Sequence, residues 1–390
     1  MKAESGKMNL LGMTLGQLQA LCAAEGFPRF TAKQLCDWLY KKRVDSIDAM
    51  TNLSLTQRAR LNEIAYIGRK TPIRCQVSKD GTKKYLFEVE SGKRKEENSC
   101  HHVETVYIPE QDNSPLSTPH SPLSTLHSPL STLHSPLPTL HSPLSTLHSP
   151  LPSRATLCVS CQVGCKMGCR FCVTGQQGFH GNLSAGDILN QLFSIPEFEQ
   201  LTNVVFMGMG EPMDNLDAVL AATEVFTADW GLGWSPKRIT VSTVGIIPGL
   251  RRFLDESQCH LAVSLHNPVP QERQQMMPVQ RAYPLNEVLA LLRQYDWSGQ
   301  RRLSFEYTMF RGLNDDTAHA QKLVEALKGL DCRVNLIRFH ESDEAPYKTS
   351  MPTTIAAFQS YLNHHGIICT LRASRGQDID AACGLLAGKE

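Results

Sequence analysis

Residues 158–175 read CVSCQVGCKMGCRFCVTG, and their spacing decides how the rest of the chain is read. Within the stretch lies C-x-x-x-C-x-x-C, formed by Cys165, Cys169 and Cys172. Three thiolates this close can wrap one face of a [4Fe–4S] cube and leave one iron without a protein ligand. An open iron can bind the amino and carboxylate groups of S-adenosylmethionine (SAM). An electron passed to the sulfonium then releases a 5′-deoxyadenosyl radical. Gly164 and Gly168 suit a loop that turns tightly around such a cluster. Zinc is the rival reading, because Cys161 or Cys158 could complete a four-ligand set.

Working outward, ATLCVS enters this loop as a strand and opens a strand–helix alternation that starts near Arg154. Further candidate strands are TNVVFMG, RITVST, HLAVSL, LSFEYTM, RVNLIRF and IICTLRA. Amphipathic stretches such as SAGDILNQLF, NLDAVLAATEVF, PLNEVLALLRQY and DTAHAQKLVEALKGL separate several of them. Strands apolar on both faces and divided by helices imply a parallel sheet covered by helices. The expectation over residues 154–390 is an α/β fold, a partial (β/α)6 barrel with its chemistry at the C-terminal strand ends. A cysteine loop after the first strand is where a radical-SAM cluster loop belongs. GMGEP, from Gly208 to Pro212, closes the second strand. Its exposed backbone amides, with Glu211, could meet the amino group of the methionine moiety.

Upstream, residues 1–68 read as a small helical accessory unit. TLGQLQALCAAEG and TAKQLCDWLYKKR carry apolar residues at helical spacing, each after a Thr placed to cap it. The run Lys41, Lys42, Arg43 is either a solvated helix end or a contact for RNA phosphate. Residues 69–112 form a hairpin turning at Asp80-Gly81, then an extended piece, with an exposed charged loop from Lys93 to Asn98. Residues 113–153 hold a repeat of SPLSTLH, with His at 120, 127, 134, 141 and 148. A proline in every unit excludes a coiled coil, and an extended chain does not preorganise metal ligands. The tract reads as a disordered loop expansion.

Composition adds limits. Net charge is +1, so charge alone does not announce a nucleic-acid binder. No apolar run is long enough to span a bilayer, and the start of the chain has no signal-peptide pattern. Five of the thirteen cysteines crowd into residues 158–172. Such clustering points to a metal or redox site in a reducing compartment, the cytoplasm, and not to a secreted disulfide framework.

The segments VETVYIPE, ATLCVSCQVGCKMGCRFCVTGQQGF, TNVVFMGMGEP, VSTVGIIP, LAVSLHNP, VNLIRF and RGQDIDAACGLLAG together resemble the RlmN family of radical-SAM RNA adenine-C2 methyltransferases. The resemblance runs from about Leu10 to Gly388, broken by the repeat. It implies that one SAM methylates Cys383 by displacement at sulfur. A second SAM, held at the cluster and cleaved, yields the radical that takes hydrogen from that methyl group. The methylene carbon adds to C2 of adenine, Glu104 accepts a proton, and Cys158 attacks to release product, leaving a transient Cys158–Cys383 disulfide. SAM contacts fall, on the same resemblance, at Gly210, Glu211, Ser242, Ser264, Leu265, His266 and Asn335. The implied partners are 23S rRNA, tRNA and a flavodoxin-type electron donor, with the protein acting as a monomer.

Two departures from the family pattern stand out. The repeat separates Glu104 from Cys158, and Cys161 occupies a position where the family usually has Ser. Three other readings compete: a C8-methylating resistance relative, a zinc-stabilised RNA-binding module, and a radical-SAM enzyme acting on a small molecule or peptide. TGQQGF favours the C2 group. The zinc module leaves Cys383 and GMGEP unexplained. The N-terminal unit and the Cys158/Cys383 pair argue against a small-molecule enzyme.

Overall fold

The computed structural model describes residues 6–89, 101–110, 155–341 and 345–388. The repeat and the loop from Lys93 to Asn98 lie outside the described residues.

Strand β1 (Met8–Asn9) leads into α1 (Leu15–Ala24). Thr14 caps α1 in a reciprocal box with Gln17, as its position predicts. Thr31 does not act this way. It is the first residue of α2 (Thr31–Cys36), is fully buried, and its hydroxyl accepts from Gln57 Nε2. Phe30 already has helical backbone angles there, which leaves Thr31 inside the helix. A π turn, Asp37–Lys41, continues α2, and α3 (Leu55–Ile64) runs into β2 (Ala65–Tyr66), which pairs in parallel with β1. The basic run is largely used internally. Lys42 lies 3.2 Å from Asp37 and 3.5 Å over the Trp38 ring. Arg43 pairs with Glu199 and stacks 3.8 Å over Phe198, fastening the helical unit to the barrel.

The hairpin is β3 (Arg74–Val77) and β4 (Lys83–Val89), with Gly81 at φ +81° in its turn. It is no appendage. β4 pairs antiparallel with β5 (His101–Pro109), and β5 with β6 (Ala155–Cys158), so the hairpin region extends the barrel's own sheet. After β6 come β7 (Gln162–Gly164), α4 (Val173–Gln176), β8 (Phe179–Asn182) and α5 (Ala185–Phe193). The alternation proceeds through β9 (Asn203–Phe206), α6 (Leu216–Thr227), β10 (Ile239–Thr243), α7 (Ile247–Glu256) and β11 (His260–Ser264). Then follow α8 (Pro270–Met276), α9 (Leu285–Leu292), β12 (Leu303–Met309), α10 (Thr317–Leu327), β13 (Arg333–Arg338), α11 (Pro352–His364) and β14 (Ile368–Leu371).

The sheet has ten strands in the order β14-β13-β12-β11-β10-β9-β6-β5-β4-β3. The seven from β6 to β14 in this sheet are mutually parallel, and the sheet does not close, as expected of a partial barrel. Val204, Val241, Leu261, Val263, Phe305 and Tyr307 are wholly buried in it. Burial on both faces is why these strands read as unbroken apolar runs. Helices α7, α8 and α11 escaped the pattern reading, and each carries proline in the first turn, where the missing N–H is harmless. Among the described residues no helix is long and apolar enough to cross a membrane.

Candidate active site

The cysteine loop is slung between β7 and β8, which pair antiparallel with an irregularity at Gly164. Gly164 (φ +69°) leaves no room for a side chain, since a Cβ there would lie 1.9 Å from the Gly178 carbonyl oxygen. Gly168 turns through φ +61°. The Cys165 amide donates to Gly178 at 2.8 Å, and the Arg170 amide to Met276 at 3.0 Å, tying the loop to α8. Cys169 packs in an apolar cluster with Val244, Met276, Met277, Phe310 and Phe339. Burial pushes the Cys165 thiol up to about 12, and those of Cys169 and Cys172 also rise; charge on Cys172 raises Cys165, and charge on Cys172 or Cys165 raises Cys169. Three thiols sharing a poorly solvated pocket are held as thiolates only by a strongly positive centre. This donor set fits an iron–sulfur cluster. Among the described residues no three His, Cys, Asp or Glu side chains converge on a single metal ion. Cys161 is buried beside the loop, where burial and Glu211 hold its thiol protonated.

GMGEP differs from expectation. Three of its amides are occupied: Gly208 donates to the Val159 carbonyl, Met209 to Ser160 Oγ at 2.9 Å, and Glu211 to Gln162 Oε1 at 2.9 Å. The glycines serve close packing, because a Cβ at Gly210 (φ +100°) would meet Gln162 at 2.5 Å. The Glu211 carboxylate is buried and accepts from the Thr243 hydroxyl and from the amides of Val244 (2.9 Å) and Met213 (3.1 Å). Burial outweighs these donors and lifts it to about 7. Glu211 can therefore carry or shed a proton near neutrality.

The strand ends beside it carry the other expected SAM contacts. Ser242 lies on β10, paired with Ala262 of β11. Ser264, Glu306, Asn335 and Thr370 form one row across β11, β12, β13 and β14. Asn335 donates to Glu306 at 2.8 Å and accepts from the Thr370 hydroxyl at 2.9 Å. His266 stands in the left-handed region (φ +55°), its Nδ1 accepting from the Thr308 amide at 3.0 Å and its ring edge-on to Phe171 of the cysteine loop. Burial pushes it down to about 3, so the ring is neutral with its proton on Nε2. The carbonyls of Ser264 and Leu265 both accept from Arg273, a wholly buried guanidinium on α8.

Cys158 ends β6 and is buried, whereas Cys383 is exposed. Burial, and then the nearby Cys383, push the Cys158 thiol up to about 12, with Arg372 opposing. The segment bearing Cys383 is anchored on both sides. Upstream, Asp80 accepts from the Gly376 amide at 3.0 Å, and Asp378 accepts from the Ser78 hydroxyl and the Lys79 amide. Downstream, the Val173 amide donates to the Gly384 carbonyl (2.8 Å) and the Thr174 hydroxyl to that of Leu386 (2.6 Å). Glu104 is no exposed strand residue. It is buried, lies 3.0 Å from Lys84 Nζ, and accepts from the amides of Ala387 (2.8 Å) and Gly388 (3.2 Å). Lys84, Glu306 and Arg372 were missed in the sequence. A charge inside the apolar run LSFEYTM was the one available signal, for Glu306.

Residues 8–67 match the Ribosomal RNA large subunit methyltransferase N-terminal domain, and residues 159–324 the Radical SAM superfamily. A probable dual-specificity RNA methyltransferase RlmN of Phocaeicola vulgatus is 47% identical over 98% of this chain and 96% of its own length. The dual-specificity RNA methyltransferase RlmN of Syntrophotalea carbinolica is 37% identical over 98% of this chain and 90% of its own. A solved radical SAM methyltransferase from Sphaerobacter thermophilus, 35% identical, aligns with a TM-score of 0.78, covering 98% of this chain and 100% of that one. At such identity over nearly the whole length, and with the cysteine loop set after the first strand of the parallel array, the chain belongs to the RlmN family of dual-specificity RNA methyltransferases within the radical SAM superfamily.

Proposed function

We propose that this SAM-dependent radical RNA methyltransferase acts on carbon C2 of adenine, with Cys383 as methyl carrier and Cys158 as the thiol that releases product. The observation that supports the reading is that the Cys383 segment, tied to Val173 and Thr174 beside the cysteine loop, brings Cys383 near enough to Cys158 to affect its thiol. When bound, the cluster on Cys165, Cys169 and Cys172 supplies the electron that splits SAM, and SAM supplies both methyl group and hydrogen-abstracting radical. Gly210, Glu211, Ser242, Ser264, Leu265, His266 and Asn335 line the SAM site.

Cys383, exposed on its anchored segment, takes the methyl group on sulfur and presents its carbon to the base. Once that carbon is joined to C2, Glu104 takes the C2 proton, and the adduct's unpaired electron would return to the oxidised cluster. Cys158 then attacks the Cys383 sulfur. The bond from that sulfur to the methylene carbon breaks, its electron pair stays with the carbon, and a proton completes the methyl group. The two sulfurs are left as a disulfide, which an external thiol reductant resets.

The RNA substrates are an adenosine of the peptidyl-transferase region of 23S rRNA and the adenosine just 3′ of the anticodon in some tRNAs. Both bases are unpaired and can be inserted into a pocket. Residues 1–68 and the hairpin region 69–112 position the RNA against the barrel of 154–390. The electron donor is flavodoxin-type, and the enzyme works as a cytoplasmic monomer.

The test is mass spectrometry of digested RNA after anaerobic reconstitution with iron and sulfide, then addition of SAM, reductant and an rRNA fragment. The expected product is 2-methyladenosine. Finding 8-methyladenosine would overturn the assigned carbon, and no methylated adenosine despite SAM cleavage would overturn the RNA reading.

A further inference from the structure

Lys84 is a buried lysine, 8% exposed, on the strand next to Glu104. Its Nζ lies 3.0 Å from Glu104 Oε1 and 3.5 Å from the carbonyl oxygen of Asp380. Asp380 stands in the left-handed region, φ +51°, three residues before Cys383. The other oxygen, Glu104 Oε2, holds the amides of Ala387 and Gly388, just beyond Cys383. The segment that carries Cys383 therefore rests on one ion pair at both of its feet. Lys84 holds the upstream foot and Glu104 the downstream foot.

We infer that Lys84 is a positioning residue for proton transfer from adenine: its ion pair holds Glu104 Oε1 and fixes the carboxylate relative to the Cys383 segment. The inference rests on the proposed role of Glu104 as acceptor. A carboxylate this buried is costly to leave without a counter-charge, and an ion pair at one oxygen also fixes its orientation. A lysine at Oε1 supplies that charge and leaves Oε2 as the oxygen turned toward the Cys383 segment. In the step itself the C2–H bond breaks, its electron pair stays in the ring, the proton passes to Glu104, and the one unpaired electron left by radical addition would return to the oxidised cluster. Strand register places other ionisable groups on the same face nearby: Arg74 on β3, Glu88 on β4, His102 on β5 and Cys158 on β6. Arg372 and Cys383 complete the set near Cys158.

The test follows the covalent enzyme–RNA adduct in reconstituted holoenzyme bearing Lys84→Met, Lys84→Arg or Glu104→Gln. For Lys84→Met the expectation is unchanged cluster content, 5′-deoxyadenosine release and Cys383 methylation. Adduct resolution slows about tenfold. Lys84→Arg restores the rate. Wild-type resolution in Lys84→Met would overturn the inference. So would a parallel loss of Cys383 methylation and cluster that Lys84→Arg restores, since the pair would then be purely structural. Glu104→Gln separates the two layers. If it resolves adduct normally, the acceptor role itself fails; if it traps adduct while Lys84→Met does not, only the role of Lys84 fails.

Discussion

Arg372, just past β14, places its guanidinium 3.4 Å from the Glu306 carboxylate on β12, across the intervening strand β13. The same guanidinium reaches Met207 Sδ at 3.0 Å and lies close enough to Cys158 and Cys383 to be affected by both. A buried acid thus holds a cation beside two thiols, one of which is proposed to attack as a thiolate.

Removing that cation raises the Cys158 thiol further, since a positive neighbour favours the charged form. Arg372→Met is expected to slow resolution of the RNA adduct about tenfold near neutral pH and to shift its rise toward higher pH. Adduct decay measured against pH checks this, and Arg372→Lys should recover part of the rate.

Cys383→Ala should abolish RNA methylation while leaving the iron–sulfur spectrum and SAM cleavage intact. Cys158→Ala should instead accumulate protein crosslinked to RNA. Gel shift under denaturing conditions separates the two outcomes, and clean turnover by either variant would contradict its assigned role.

Gly12 lies where the helical unit meets α5. Its φ is +94°, and a Cβ there would sit 2.2 Å from the Gly186 amide nitrogen. Backbone on both sides leaves nothing to yield, so Gly12→Ala should cost roughly 3 kcal/mol of stability. The denaturant midpoint reports the loss.

His319 bridges two carboxylates, with Nδ1 2.8 Å from Asp316 and Nε2 2.7 Å from Glu272. Burial opposes its charge, but the two hydrogen bonds prevail and its pKa rises above 6.5. A group raised on folding stabilises fully below its unfolded value and loses that contribution as pH climbs through the folded one. Glu272 and Asp316 are lowered, so their share fades as pH falls through their folded values. The bridge is strongest in mildly acidic solution, above the carboxylate range and below 6.5. His319→Gln should flatten the decline in melting temperature between about pH 6 and pH 8.

Pro109 pairs directly with Ala155, so the ends of β5 and β6 that flank the repeat lie side by side. A short turn can join them. Deleting residues 114–152 should leave methylation and melting temperature near those of the full chain, as measured by product yield and thermal unfolding.

The strands were legible because burial on both faces makes them continuous apolar runs, and the cluster cysteines because their spacing is itself the chemistry. Other features depend on partners distant in sequence. Nothing local to Lys84 or Arg372 reveals that Glu104 or Glu306 waits across the sheet. Thr31 looks like a cap until the angles of Phe30 are known. GMGEP looks like a set of free amides until Val159, Ser160 and Gln162 are seen to occupy three of them.

The antiparallel pairing of β5 with β6 has a genetic consequence. Glu104 and Cys158 share a face because Val106 stands opposite Cys158 and side chains alternate along the strand. Codons inserted between the strands merely lengthen a connection. One codon gained or lost between Glu104 and Val106, with the pairing to β6 kept, turns Glu104 to the opposite face from Cys158. Tolerance of a long repeat and intolerance of a single-residue indel can therefore coexist only a few positions apart.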